Sequence, residues 1–296
     1  MTKDGKTLYL GFKTSVIPDS VTIIGERAFS CCHELENITI PDSVTVISKS
    51  AFASCYGLTS ITIGKGVTFI EDAAFAYCTA LTEINYNVAN CTVNDVDNYV
   101  FAKAGQDKDG ITVNFGTNVI NIPQYLFFAC NSKTVESRNY APKITKVNFV
   151  KDSRCESIGT RAFAYCTSLT SVAIPDSVTS IGGSVFNECT SLTSAIIGNS
   201  VTTINDYMFY GCTSLTSITM PNSVTRIGSN VFGLTSLAVI YYMGTIEQGD
   251  NISIGSYNKT VKAKMHYYSE EEPTSDGNYW HYDTDGITPI VWTKEN

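Results

Sequence analysis

The 296-residue chain contains no run of about 18 apolar residues, so no helix in it is expected to span a membrane. Lysine and arginine form no basic cluster, and 28 acidic against 20 basic side chains leave a net charge of −8. Phosphate backbones are held by many basic contacts, so nucleic acid is not an expected partner. The N-terminus offers only the apolar stretch LYLGF, shorter than the roughly 7–15 residues of a signal-peptide core. The chain therefore reads either as not secreted or as a mature form or fragment. Enzyme motifs are missing too: there is no G-x-S-x-G elbow, H-E-x-x-H pair, P-loop or G-x-G-x-x-G. Histidine is scarce, with His33, His266 and His281 far apart. DKDG (107–110) and DTDG (283–286) are too poor in oxygen ligands for a calcium loop, which needs about six or more, and read as Asp-Gly turns. No catalytic residue, cofactor or metal ligand is assigned, and an enzyme is not expected.

What the sequence does have is repetition. A phenylalanine recurs at Phe29, Phe52, Phe75, Phe101, Phe127, Phe163, Phe186, Phe209 and Phe232, at intervals of 23, 23, 26, 26, 36, 23, 23 and 23. A fixed period in this range marks a stacked-repeat architecture. The unit can be read from residues 166–186, CTSLTSVAIPDSVTSIGGSVF. Leu169, Val172 and Ile174 define a short strand with one buried face, because Val172 and Ile174 alternate with Ser171 and Ala173. Pro175 cannot donate to a ladder and stops the strand, and Asp176 and Ser177 favour a turn. Val178 and Ile181 point inward again. The SVFNEC segment reads as a short helical turn with Phe186 and Cys189 on one face. One unit cannot bury its apolar side alone, so stacked units share a continuous core.

The pattern IPDSVTSIGxxxFxxCTSLTSI resembles the BspA-like, or Treponema-type, class of leucine-rich repeats over about residues 15–244. The expected fold is a β-rich α/β solenoid: a right-handed superhelix with a concave parallel sheet and short helical or 3-10 turns on the convex side. The resemblance implies a non-enzymatic protein-binding or adhesive scaffold at the surface of a host-associated bacterium or outside it, with a host matrix or cell-surface protein as partner. The expected assembly is a monomer. The alternatives are a carbohydrate-binding module or a spacer that displays another domain. Residues 87–101 keep Tyr99, Val100 and Phe101 but lose the leucine strand signal.

The ends depart from the repeat. Residues 1–14 read as an N-terminal cap and 245–268 as a C-terminal cap. Residues 269–296 read as an acidic linker followed by a hairpin, YWHYDTDGITPIVWT, assigned to capping, with a contact surface as the other reading. Irregular insertions fall at about 87–110 and 130–143.

Seven of ten cysteines, Cys32, Cys55, Cys78, Cys130, Cys166, Cys189 and Cys212, lie three residues after the phenylalanine. A ladder with one thiol per coil is linear and does not converge on a metal. Stacked side chains run parallel, which opposes a disulfide between neighbours. The thiols read as small buried fillers, as does Cys155, which stands where other repeats have valine.

Solenoids bind along their extended faces. The outward strand positions are mostly serine, threonine and asparagine, good solvated strand residues. Glu83, Asn85, Asn114, Lys146 and Asn148 break that monotony in the middle coils, and Tyr241 is the one aromatic residue on the face. These six are the candidate partner-binding residues.

Overall fold

The computed structural model of the protein describes residues 5–9, 16–94, 99–128, 140–274 and 277–292. Cys130, most of the 130–143 insertion and most of residues 1–14 lie outside the described residues. Each repeat contributes one longer and one two-residue strand, and each type stacks into its own parallel ladder. The longer strands Asn37–Ile40, Ser60–Ile63, Glu83–Tyr86, Ile111–Phe115 and Ile144–Phe149 pair as successive neighbours. A second sheet continues the series through Ser171–Ala173, Ser194–Ile196, Ser217–Met220, Val239–Tyr242 and Met265–Tyr268. The two-residue strands form the other ladder, beginning with Thr7–Leu8, Ile23–Ile24, Val46–Ile47, Phe69–Ile70 and Thr92–Val93. The alternation of apolar and polar residues sets this register, because a one-residue slip would turn every buried isoleucine to solvent.

The third side of each coil corrects one expectation. Where a short helical turn is predicted, the described residues around the phenylalanines form turns and no helix. The backbone makes consecutive tight turns, with positive φ two residues before and two after most of the phenylalanines. Arg27 and Cys31 flank Phe29 at φ 54° and 60°, and Ser184 and Glu188 flank Phe186 at 57° and 58°. This alternation sends N–H groups in two directions. Those of Ala28, Ser30 and Cys32 close turns within the coil, while those of Arg27, Phe29 and Cys31 donate to Lys49, Ala51 and Ala53 of the next. A helical turn would keep its donors inside the coil and leave this side without a ladder. The tight turns let coils hydrogen-bond on all three sides.

Threonine side chains add further rungs. Thr59 Oγ1 donates to the Glu36 carbonyl at 2.8 Å, Thr82 to Thr59 at 3.1 Å and Thr193 to Thr170 at 3.0 Å. Inside, the repeating phenylalanines stack from Phe29 to Phe232, with ring centroids 4.8–6.0 Å apart. Eight of the nine rings are at most 1% exposed; Phe232, the last, is partly buried. Coil spacing of ~4.8 Å suits stacked aromatic contact, so the same period serves backbone and core.

At the C-terminal end, Thr245 and Gln248 form a capping box on the helix Ile246–Asp250. Tyr279–Tyr282 then joins the long-strand sheet parallel to Met265–Tyr268, and Pro289–Val291 pairs back antiparallel as its last strand. Proline on that strand removes one donor from the open edge. No helix among the described residues is long and apolar enough to cross a membrane.

Candidate functional site

The parallel register brings the central candidates onto adjacent strands. Glu83 pairs with Thr112 and Thr112 with Lys146; Asn85 pairs with Asn114 and Asn114 with Asn148. The strand Ile144–Phe149 carries an irregularity between Ile144 and Lys146, and beyond it Lys146 and Asn148 sit in register. The extra residue, Thr145, is thus absorbed without disturbing the outward columns.

Hydrogen bonds join four of the candidates. Asn114 Nδ2 donates to Asn85 Oδ1 at 3.0 Å and to Glu83 Oε1 at 3.2 Å, and Asn148 Nδ2 donates to Asn114 Oδ1 at 2.9 Å. Ser60 Oγ donates to the second Glu83 oxygen at 3.1 Å. The amides therefore run in one direction, with Asn85 presenting its NH₂ group at one end and Asn148 its oxygen at the other. A held amide needs no ordering when a partner binds, which reduces the entropic cost of association. Lys146 is exposed, and among the described residues it makes no ion pair. It stands two coils from Glu83 in the same column, ~10 Å away by strand spacing. The face can thus offer a partner a carboxylate, a line of fixed amides and a free ammonium group.

Tyr241 lies apart from this group, four coils further along. Its ring sits 5.3 Å from that of Trp280, which is fully buried and donates its indole N–H to the Tyr242 carbonyl at 3.0 Å. Tyr268 and Tyr282 close around the same indole, at 5.2 and 4.9 Å. Tyr241, Tyr268 and Tyr282 are each half-buried. Within the repeats Tyr241 is the one aromatic residue on this face, and the others lie beyond the last repeat. The YWHY segment carried the missing signal: pairing of Trp280 with Tyr268 puts both on the face that Tyr241 occupies.

The cysteine ladder is packing with a polar function. Cys55, Cys78, Cys166, Cys189 and Cys212 are fully buried, and Cys32 is partly so. The thiols of Cys55, Cys78, Cys189 and Cys212 donate to the carbonyls of Phe29, Phe52, Phe163 and Phe186, one coil back, at 3.0–3.2 Å. Burial pushes the thiol of Cys212 up to about 12 and raises those of Cys166 and Cys189. These groups are inert as nucleophiles at neutral pH. Among the described residues no cluster of histidine, cysteine and carboxylate could hold a metal. In DTDG, Asp285 accepts the Ile287 and Thr288 N–H groups and the Thr288 hydroxyl, so its oxygens serve the turn.

Comparison with solved structures finds a leucine rich repeat protein of T. pallidum (24% identity, 78% of this chain and 81% of that one, TM-score 0.36). It also finds one from Bacteroides ovatus (20%, 84% and 82%, 0.39) and a leucine rich cell surface protein from Faecalibacterium prausnitzii (22%, 79% and 86%, 0.31). No curated protein sequence matches. The model of the BspA type leucine rich repeat region, in 6 copies, matches residues 9–134 and 134–257. With most of its length so matched and its parallel ladders repeating at that period, the chain belongs to the BspA type leucine rich repeat family.

Proposed function

We propose that the protein is a non-enzymatic scaffold that binds another protein through the long-strand face of its middle coils. One observation carries this reading: Glu83, Asn85, Asn114 and Asn148 are joined in one hydrogen-bonded network beside the exposed Lys146. Family membership supports a binding role, and the extended sheet offers the area that a specific interface requires. Adhesion at a bacterial cell surface, to a host matrix or cell-surface protein, is the use we infer.

The test is a panel of immobilised matrix and cell-surface proteins probed with the wild type and with the Glu83→Ala, Asn85→Ala, Lys146→Ala, Asn148→Ala quadruple variant. Loss of the network and the charge is expected to weaken binding at least about tenfold, or ~1.4 kcal/mol. Equal binding by both proteins, with the variant's folding intact by circular dichroism, would overturn the assignment. A glycan-binding reading draws support from Tyr241, Tyr268 and Tyr282 around Trp280, since half-exposed aromatic rings stack on sugars. A glycan array separates it from the first reading.

A further inference from the structure

The stack of phenylalanine rings ends at Phe232, and the repeat that carries it is altered. Phe232 and Leu237 are five positions apart, where Phe186 and Leu192 are six apart, and threonine stands three residues after the ring in place of cysteine. Thr235 Oγ1 turns back to the Phe232 carbonyl at 2.8 Å, whereas the thiol of Cys212 reaches the previous coil. The chain that follows brings Lys259, Thr260 and Val261 beside Phe232 instead of a tenth ring. The result is an open cavity of about 380 Å³ between the last repeat and the cap.

Its floor is apolar: Phe232 is partly buried, and Leu237 and Val261 are 3% and 2% exposed. Its rim holds Thr235, Thr260 and two lysines, Lys259 and Lys264, and no carboxylate lines it. Among the described residues neither lysine makes an ion pair, while the neighbouring Lys262 is neutralised by Asp250 at 3.7 Å. Lys264 donates to the Leu237 carbonyl, which holds its ammonium group at the cavity mouth and leaves two further N–H donors. Asn258 fixes the turn from below, accepting the Val231 N–H at 3.0 Å and donating to the Gly228 carbonyl at 2.6 Å. Two uncompensated cations over an apolar floor, in a chain of net charge −8, call for an anion with an apolar body.

We propose that this cavity binds a small organic monocarboxylate, its compact apolar body resting on Phe232 and its carboxylate on Lys259 and Lys264. A cavity of roughly 150 Å³ accommodates benzene, so a body of one ring fits with room to spare. The site is separate from the long-strand face, and it stands or falls independently of the partner-binding reading.

The test uses phenylacetate as probe and uncharged phenylacetamide as control, with amide chemical shifts recorded by NMR on the whole chain. Phenylacetate is expected to give saturable shifts at residues 232–237 and 259–264, with a dissociation constant at or below about 1 mM. Phenylacetamide should bind at least about tenfold more weakly, and so should phenylacetate to the exposed-site variant Lys259→Gln. Lys264→Gln checks the second cation, its fold verified by unchanged shifts elsewhere. No saturable shifts, shifts elsewhere in the molecule, or equal binding of the acid and the amide would each overturn the proposal.

Discussion

The cysteine three residues after most of the phenylalanines shows how much one side chain settles. A methyl group would leave space beside the phenylalanine, and valine would bring no donor. The thiol fills the space and caps the carbonyl of the ring residue one coil back. Burial also makes these thiols report on folding. Desolvation raises Cys155 to about 11 and Cys91 and Cys212 to about 12, with Cys166 and Cys189 raised as well. Unfolded thiols ionise near pH ~8.5 and these five folded ones do not, so above that pH the unfolded state binds fewer protons at them. This contribution to stability is complete below about pH 8.5 and falls as pH rises toward 11–12. Melting temperature under reducing conditions should be flat through neutral pH and drop between about pH 9 and pH 10; a flat profile there would contradict the buried ladder. Tyr242 gives a second residue-level check. Its hydroxyl is buried and has no hydrogen-bond partner among the described residues, so Tyr242→Phe should stabilise the fold by about 1 kcal/mol in denaturant unfolding. A comparable loss would mean that the hydroxyl is paired.

At the scale of elements, the strands and the turn at Asp176 and Ser177 were legible in the sequence, and the consecutive turns around the phenylalanine were not. Strand parity follows from the alternation around Val172 and Ile174, and it gave the outward columns that the register later joined. The turn side depends on backbone conformations that serine, arginine or tyrosine do not advertise. The same positive-φ position is filled by Arg27, Ser50, Ala73, Arg161, Ser184 and Tyr207 in different coils. A non-glycine residue in the left-handed region costs ~1 kcal/mol, partly offset in a glycine replacement by the greater freedom of the unfolded chain. Ser184→Gly should therefore raise stability slightly, by about 0.5 kcal/mol. Gly182→Ala, two residues away, should do the reverse. Its added Cβ would stand 2.4 Å from the Thr160 backbone nitrogen, a contact relieved only by moving a coil, at a cost of about 1–3 kcal/mol. Urea denaturation of the pair separates the two effects; destabilisation of both to the same degree would mean that the turn tolerates only its present sequence.

At the scale of the molecule, periodicity explains what could be read early and what could not. Glu83, Asn85, Asn114, Lys146 and Asn148 were identifiable because equal spacing puts equivalent residues on one face, even across the long interval before Phe163. Their hydrogen bonding to one another was not, since it requires strands one coil apart and an extra residue absorbed at Thr145. The aromatic group around Trp280 escaped because its strand is placed by pairing with Met265–Tyr268, outside any period. Lys259 and Lys264 stand in an acidic C-terminal region, and only the structure brings them to one cavity beside Phe232. The middle of the long-strand face and its C-terminal end are thus chemically unlike: charged and amide-rich around Asn114, aromatic around Trp280. The most direct measurement is a hydrogen-exchange footprint of the protein with a captured protein partner. Protection is predicted along strands 83–86, 111–115 and 144–149, with the turn side and the C-terminal hairpin unchanged. Protection confined to the hairpin or the turn side, with those three strands exchanging as in the free protein, would contradict the account.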